Sequence, residues 1–148
     1  MNKLLAIPPP VYGLISLGLC KAIDGIFDWP LDISSPAVGT LVALAGLAIL
    51  VWAWLGFCRQ KTTPIPTGEP SALVAEGPYR LSRNPMYIGL LILLASVAFF
   101  TGSPIYLLSP IGVFFIIDRL FIPYEEAKLE RLFGEDFIAL KSQVRRWL

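Results

Sequence analysis

Histidine is absent from this chain of 148 residues, and cysteine occurs only twice, at Cys20 and Cys58. The lack of histidine excludes a Ser-His-Asp triad, histidine-based acid–base catalysis and histidine-ligated metals. Two cysteines that lie far apart in sequence make neither a disulfide framework nor a metal site. We therefore predict that the protein holds no metal.

Charged side chains are also scarce. They make up 16% of the chain, against about 25% in a soluble domain, while apolar residues make up 55%. The 12 basic and 11 acidic residues leave a net charge of +1, which gives no reason to expect a nucleic-acid partner. The length suits a single domain over residues 1–148, and the composition favours a membrane protein.

Two long stretches without any charge predict membrane-spanning helices, which need about 20 mostly apolar residues. The stretch 33–58 predicts one span over 37–57. The stretch 84–117 would form a helix of about 51 Å, too long for one crossing, and Gly102-Ser103-Pro104 interrupts it. It therefore predicts a helical hairpin with spans over 85–101 and 105–122.

The N-terminal apolar segment predicts a further span over 11–27, after the run Pro8-Pro9-Pro10, which cannot lie inside a helix. A secretory signal is the alternative interpretation. Lys3 and the apolar run fit such a signal, but a small-residue cleavage site is lacking.

Basic residues set the orientation, because they favour the cytoplasmic side of a membrane. Four lie in the 58–84 loop and five after residue 122, whereas the segment between the first two spans carries Asp28 and Asp32 and no basic residue. Four spans then place both termini, the 58–84 loop and the tail in the cytoplasm. We expect the plasma membrane of a bacterium or archaeon.

The tail changes character, because apolar residues recur there at spacings of three and four and charges fill the other face. This pattern predicts an amphipathic helix over 124–147 that lies on the membrane surface or folds back against the bundle, with Gly134 as the place where it bends or ends. The predicted fold class is all-α, an integral membrane bundle of four transmembrane helices plus a C-terminal amphipathic cytoplasmic helix.

Polar residues gather where the loop enters the third span. Asn84 and Pro85 suit a helix N-cap and first turn, so one interpretation is only a capped helix start. The other is a pocket, because two arginines, an amide and two tyrosines converge on a helix N-terminus that favours anions such as a carboxylate. These residues are Tyr79, Arg80, Arg83, Asn84 and Tyr87.

Two further groups of charges lie near the end of the fourth span, on the same predicted membrane face. Glu125 and Glu126 either complement the dipole of the tail helix or accept hydrogen bonds from ligand hydroxyls or an amine. Asp118 and Arg119 either pair at the mouth of the bundle or reach a substrate head group.

These groups belong to two longer motifs that resemble a known family. The run from Leu73 to Gly89, LVAEGPYRLSRNPMYIG, resembles the signature LVxxGPYRxxRHPxYxG of the isoprenylcysteine carboxyl methyltransferases and phospholipid methyltransferases. A second family signature, EExxLxxxFGxxYxxYxxxVxRW, is matched by Glu125-Glu126, Leu129, Phe133-Gly134, Val144, Arg146 and Trp147. Together the motifs cover residues 73–147, half of the chain, in the family's order.

The resemblance implies an integral membrane methyltransferase that uses S-adenosylmethionine, bound at the cytoplasmic end of the last two spans and closed over by the tail. Its implied cofactor contacts are Ser71, Ala72, Leu73, Val74, Tyr79, Arg83, Asn84, Pro85 and Met86. One residue of the acidic pair joins them, and counting back from Phe133-Gly134 makes it Glu125. Tyr87 and Glu126 complete the predicted set.

The implied acceptor is a lipid or lipidated small molecule that enters from the bilayer, such as a prenylcysteine carboxylate, a phospholipid amine or another isoprenoid. The chain departs from the signatures at Asn84, usually histidine, and at Phe137 and Leu140, usually tyrosines. Phe121 stands where the prenylcysteine enzymes carry an arginine that binds the substrate carboxylate. The nearest arginine is Arg119, which we predict to orient the acceptor's head group during catalysis.

Two alternatives to this activity stay open from the sequence. One is a non-catalytic membrane scaffold or lipid-binding protein that has kept the fold. The other is a membrane reductase of the related sterol type that uses a nicotinamide cofactor.

Overall fold

The computed structural model describes residues 3–27, 30–64, 68 and 70–148, and every regular element in them is helical. The predicted all-α class is therefore confirmed for the described residues, while Asp28 and residues 65–67 and 69 of the predicted loop lie outside them. The α-helices are α1 (Pro9–Asp24), α2 (Pro36–Arg59), α3 (Pro85–Thr101), α4 (Leu108–Ile116), α5 (Ile122–Phe133) and α6 (Glu135–Gln143).

Small residues bring α2 and α3 close together. The buried residues of α2 are Gly39, Gly46 and Ala53, spaced seven apart on one face, and α3 packs along this face. At Gly46 and Gly89 the backbones nearly touch, since a Cβ built on Gly89 would lie 2.8 Å from the carbonyl oxygen of Gly46. Without side chains in between, the two helices gain close van der Waals packing, as is common for helices in a bilayer.

A tight turn at the far end joins α3 to the next helix. Gly102 adopts a φ of 79° and caps α3, and a 3-10 turn over Pro104–Leu107 leads into α4. The segment before α2 pairs with this turn, because Ile33 donates its backbone N–H to the Gly102 carbonyl at 2.9 Å. The predicted helical hairpin is therefore present, with α3 over the range predicted for the third span.

Helix α1 packs against α4 and the turn before it. The Ser16 and Ser109 hydroxyls hydrogen bond at 2.6 Å, and the Cys20 thiol donates to the Ile105 carbonyl at 3.5 Å. The helix begins at Pro9, two residues earlier than predicted, and Pro10 also lies within it. Prolines are tolerated there because the N–H groups of the first turn have no partner inside a helix.

The fourth predicted span, 105–122, and the predicted tail helix, 124–147, are continuous in the structure and do not form separate elements. A π-turn over Ile117–Phe121 joins α4 to α5, and the helical segment Pro104–Phe133 runs through 30 residues. Pro123 follows this wide turn. Its missing N–H and its ring disfavour an ordinary α-helical turn there, which explains why the helix continues through a π-turn.

The tail is two helices and an extended end, so a single helix over 124–147 is wrong. Gly134, with a φ of 52°, ends α5 as predicted, and α6 follows at once. After α6 the chain becomes extended at Val144, where φ is −120° and ψ is 131°. The apolar stripe turns inward, since Phe137 and Val144 are buried, and the tail thus folds back against the bundle.

Within the described residues, two helices are long and apolar enough to cross a membrane, Pro36–Arg59 and Pro104–Phe133. Helix α2 exposes large apolar side chains along most of its length, including Leu41, Leu44, Leu47 and Trp54. Such a surface is expected to meet lipid, because soluble proteins rarely expose apolar patches of this size. Helices α1 and α3, with 16 and 17 residues, are shorter, and a four-span arrangement stays a prediction.

Candidate functional site

A cavity of about 490 Å³ lies where the loop before α3 meets α5 and the tail. This volume is within the range of about 300–1,000 Å³ usual for small-molecule sites. Its lining is mostly apolar, with a few charged and polar groups. It brings together ten of the residues predicted from the sequence, namely Ala72, Leu73, Val74, Tyr79, Arg83, Asn84, Met86, Tyr87, Glu125 and Glu126.

Three predicted site residues lie outside this lining. Ser71 is exposed and donates its backbone N–H to the Thr62 hydroxyl at 2.9 Å, which holds the loop beside the cavity. Pro85 is buried in the first turn of α3. Arg119 has a side chain 77% exposed, 3.5 Å from the Asp118 carboxylate, and the structure does not bring it to the cavity.

The loop wall of the cavity is built around Tyr79. A 3-10 turn over Gly77–Arg80 buries this residue, and its ring meets Phe57 of α2 edge-on at 5.5 Å. Burial, and then the nearby charge of Glu125, raises the pKa of the Tyr79 phenol above its ordinary value. The phenol therefore keeps its proton and remains a hydrogen-bond donor at neutral pH.

Asn84 has a different role from the predicted helix cap. Its side chain makes no capping bond, and the amide nitrogen Nδ2 instead donates to the carbonyl oxygen of Arg146 at 2.9 Å. Ser82 accepts the Asn84 backbone N–H at 3.1 Å. The loop before α3 is thus tied to the C-terminal end of the chain, and the expectation of a side-chain cap is wrong.

Glu125 and Tyr87 form the most direct link between α5 and α3. The Tyr87 hydroxyl donates to Oε1 of Glu125 at 2.6 Å, a short distance typical of a bond to a carboxylate. Both residues line the cavity. The bond fixes the position of the Glu125 carboxylate at the wall and leaves its second oxygen as a potential acceptor.

Glu126 stands between two arginines. Its carboxylate lies 3.1 Å from Nη1 of Arg83 and accepts a hydrogen bond from Nη2 of Arg146 at 2.8 Å. The carboxylate also raises the pKa of Arg146. The side chains of Arg83 and Glu126 are only 12% and 13% exposed.

Several polar atoms of this ion pair are buried without a hydrogen bond. They are Nε and Nη1 of Arg83 and Oε1 of Glu126, whose contact has the distance of an ion pair but not the angles of a hydrogen bond. Buried polar groups are nearly always satisfied, and the exceptions need an explanation. Here Nη1 and Oε1 face each other at 3.1 Å, so the attraction between their charges compensates for the missing hydrogen bond.

Sequence reasoning missed several parts of the lining, among them Lys128 and the N-terminal segment. Lys128 is buried and donates from Nζ to the Gly68 carbonyl at 2.7 Å, with the Tyr124 ring 5.4 Å away. Its position three residues after Glu125, on the same helical face, was the available signal. The N-terminal residues Leu5, Ala6 and Pro8–Pro10 also line the cavity, and nothing in their local sequence indicates this long-range contact.

The site contains no recognisable metal ligand set in the described part of the chain. Groups of three or more cysteine, aspartate or glutamate side chains placed to hold an ion are not found there. The chemistry available is therefore that of two carboxylates, two cations, an amide and two phenols around an apolar space. Such a set suits a small molecule that carries both charges and hydroxyl groups.

Comparison with known proteins identifies the family of the chain. The phospholipid methyltransferase family model matches residues 35–136. Protein-S-isoprenylcysteine O-methyltransferase B of Arabidopsis thaliana is 34% identical over 114 residues, covering 67% of this chain and 55% of that protein. An uncharacterized protein of Haemophilus influenzae is 35% identical over 63 residues, covering 43% of this chain and 100% of that protein.

No solved structure matches the chain significantly. The chain spans only about half the length of the Arabidopsis relative. The family match, by contrast, covers more than half of this chain, and residues 35–136 include the whole run from Leu73 to Gly89 as well as the acidic pair. The chain belongs to the phospholipid methyltransferase family, within the methyltransferase group that its two motifs indicate.

Proposed function

We propose that this protein transfers a methyl group from S-adenosylmethionine to an amphiphilic acceptor that enters from the bilayer. The observation that carries the proposal is that one mostly apolar cavity is lined by an arginine, an amide and two carboxylates, namely Arg83, Asn84, Glu125 and Glu126. S-adenosylmethionine carries a carboxylate, an ammonium and ribose hydroxyls, and these groups complement an arginine and two glutamates.

The residues of the cavity divide into two sets by chemistry. In the first set, Arg83 and Asn84 would hold the donor's carboxylate, and Glu125 and Glu126 would accept hydrogen bonds from its ammonium or hydroxyls. Those four residues are the polar set. The apolar set consists of Leu73, Val74 and Met86, which offer a surface for a nucleoside base. Ser71 and Pro85 support these residues from just outside the cavity in this proposal.

The cofactor would supply an electrophilic methyl group on a sulfonium, and the neutral thioether left after the C–S bond breaks is a good leaving group. The protein then has to align acceptor and donor and exclude water, and positioning of this kind contributes up to about 7–11 kcal/mol. The absence of histidine is compatible with such a reaction, because a base within the protein is not required when the acceptor is an anion or a neutral amine.

The apolar part of the cavity suits a lipid tail. Leu50 and Leu90 line it from the bundle, and Phe137 and Leu140 line it from α6. Phe121, where the prenylcysteine enzymes have an arginine, is completely buried and packs edge-on against Tyr12 at 5.8 Å. The Phe121 position therefore offers no charge to an acceptor carboxylate, and the role of Arg119 in orienting the head group stays a prediction.

The proposed orientation places the cavity on the cytoplasmic side. Arg59, Arg80, Arg83 and the basic tail all lie toward the end of the bundle where α2 ends and α3 begins. Basic residues are enriched on that side of bacterial membranes. Cytosolic S-adenosylmethionine would then reach the cavity directly.

Methyl transfer by the purified full-length chain in lipid vesicles tests the proposal. Radiolabelled S-adenosylmethionine is supplied with a prenylated cysteine, a phosphatidylethanolamine or a free isoprenoid acid, and the organic phase is counted. We expect label in at least one lipid product, and loss of that label in Glu125→Ala. A chain that binds the cofactor weakly or not at all, and methylates none of these classes, supports the scaffold instead. Displacement of bound donor by a nicotinamide dinucleotide supports the reductase.

A further inference from the structure

The C-terminal residues Arg145–Trp147 contact both sides of the candidate site without lining the cavity. After α6 ends at Gln143, this segment runs back between the loop before α3 and the junction of α4 with α5. We call it the C-terminal clasp. Its contacts are with the residues that carry the proposed cofactor-binding groups.

One side of the clasp holds the loop before α3 through its backbone. The Arg145 carbonyl accepts the Arg83 backbone N–H at 3.0 Å. The Arg146 carbonyl accepts from the Ser82 hydroxyl at 3.2 Å and from Nδ2 of Asn84 at 2.9 Å. Three consecutive loop residues are therefore fixed by two consecutive carbonyls.

The other side of the clasp holds the helical segment through side chains. The guanidinium of Arg146 bridges two carboxylates, with Nη2 2.8 Å from Glu126 and Nη1 3.4 Å from Asp118. The indole N–H of Trp147 donates to the same Asp118 oxygen at 3.0 Å, and its ring packs on Phe114 at 4.8 Å. Asp118 lies in the π-turn, so the clasp spans the junction just before the acidic pair.

We infer that Arg146 is a positioning residue for cofactor binding, because it sets the separation of Arg83 and Asn84 from Glu126. A rigid planar guanidinium that bonds two carboxylates, while its own carbonyl bonds Asn84, couples the two walls through one residue. The inference rests on the proposed use of these walls for S-adenosylmethionine.

Calorimetric titration of S-adenosylmethionine into the full-length protein in nanodiscs tests the inference. We expect Arg146→Ala to raise Kd about tenfold or more. Arg146→Lys should recover only part of the affinity, because lysine keeps the charge but cannot bond two carboxylates with a planar guanidinium. Arg145→Ala is the matched control. It removes an exposed charge from the adjacent residue and leaves the bonding carbonyl in place, so Kd should stay within about twofold of wild type.

The binding stoichiometry separates positioning from mere support of the fold. A purely structural role lowers the melting temperature and the fraction of competent protein but leaves Kd of that fraction unchanged. If Arg146→Ala does not fold, Trp147→Phe tests the same inference. This substitution removes the hydrogen bond to Asp118 and keeps an aromatic ring on Phe114. It should raise Kd by a smaller factor than the loss of Arg146. Wild-type binding together with an unchanged Kd in the folded variants overturns the inference. A wild-type chain that binds no donor overturns the proposed function instead.

Discussion

The hydroxyl of Tyr87 lies 2.6 Å from Oε1 of Glu125, so one hydrogen bond connects the first turn of α3 with the start of α5 at the cavity wall. These residues are 38 positions apart in sequence. Their meeting depends on the hairpin formed by α3 and the following helical segment, which folds back at Gly102 and returns the chain to the same end of the bundle.

Loss of this bond should weaken cofactor binding. In Tyr87→Phe the Glu125 carboxylate loses its donor and its fixed position, and a bond to a charged group contributes about 1.5–3 kcal/mol. This bond is already present without the cofactor, so only part of its free energy acts on binding, and we expect the Kd for S-adenosylmethionine to rise by up to about tenfold in calorimetry. Tyr106→Phe is the control, because it makes the same change in a buried tyrosine at the far end of the bundle, away from the cavity. Equal effects of the two substitutions would remove the assigned role of Tyr87.

The close approach of α2 and α3 should make Gly89 intolerant of any side chain. A Cβ there would lie 2.8 Å from the Gly46 carbonyl and 2.8 Å from Cγ of Leu50. Gly89→Ala must therefore push the helices apart, and we expect a loss of about 1–3 kcal/mol, measured as a lower midpoint of unfolding in detergent.

Gly112→Ala provides the comparison for this prediction. Nothing lies within 4 Å of a Cβ at Gly112, and alanine favours the helix by up to about 1 kcal/mol. This variant should be as stable as wild type or slightly more so. Similar midpoints for both alanine variants would show that the backbones do not approach as described.

Chemical labelling of the natural cysteines tests the proposed orientation in the membrane. Cys58 is exposed near the end of α2, whereas Cys20 is buried. A membrane-impermeant maleimide should therefore label Cys58 in inside-out vesicles and leave right-side-out vesicles unlabelled. Ser34→Cys in a Cys58→Ser background places an exposed thiol just before α2 and should give the reverse pattern. Labelling of Cys58 from the outside would invert the topology.

The turn at Gly102 should require glycine for two reasons. Its φ of 79° is unfavourable for other residues, and a Cβ would lie 2.5 Å from Oδ1 of Asp32. We expect Gly102→Ala to destabilise the protein by about 1–3 kcal/mol, since backbone strain and a steric contact act together. Adding Asp32→Ala to this variant should remove the steric contact with the new Cβ but not the backbone strain. The midpoint of unfolding should therefore recover only in part. Full stability of Gly102→Ala would contradict the turn geometry.

Local signals in the sequence predicted much of the fold. Asn84-Pro85 marks the start of α3, Gly102 marks its end, and Gly134 marks the break in the tail. Each of these positions has a backbone requirement that the residue type reveals. The continuity of the fourth span with α5 was not predictable in the same way, because a proline at 123 indicates a break unless a π-turn precedes it.

The family motifs predicted most of the residues that line the cavity. Residues whose position depends on packing between distant segments were predicted less well. The sequence left open whether Asp118 and Arg119 pair with each other or reach a substrate head group, and it favoured Arg119 for the head group. The structure turns Asp118 toward Arg146 and Trp147 and leaves Arg119 exposed, which depends on how the tail folds back. The N-terminal prolines at the cavity likewise owe their place to contacts between distant segments.

Calorimetric titration of S-adenosylmethionine into the wild-type chain and into Glu125→Ala, both in nanodiscs, tests the central claim most directly. The account predicts one binding site per wild-type chain and a Kd raised about 10- to 100-fold in the variant, the cost of one bond to a charged group. Glu135→Ala, which removes an exposed carboxylate from the start of α6, should bind like wild type. No binding by the wild-type chain, or equal affinity in Glu125→Ala, would contradict the account.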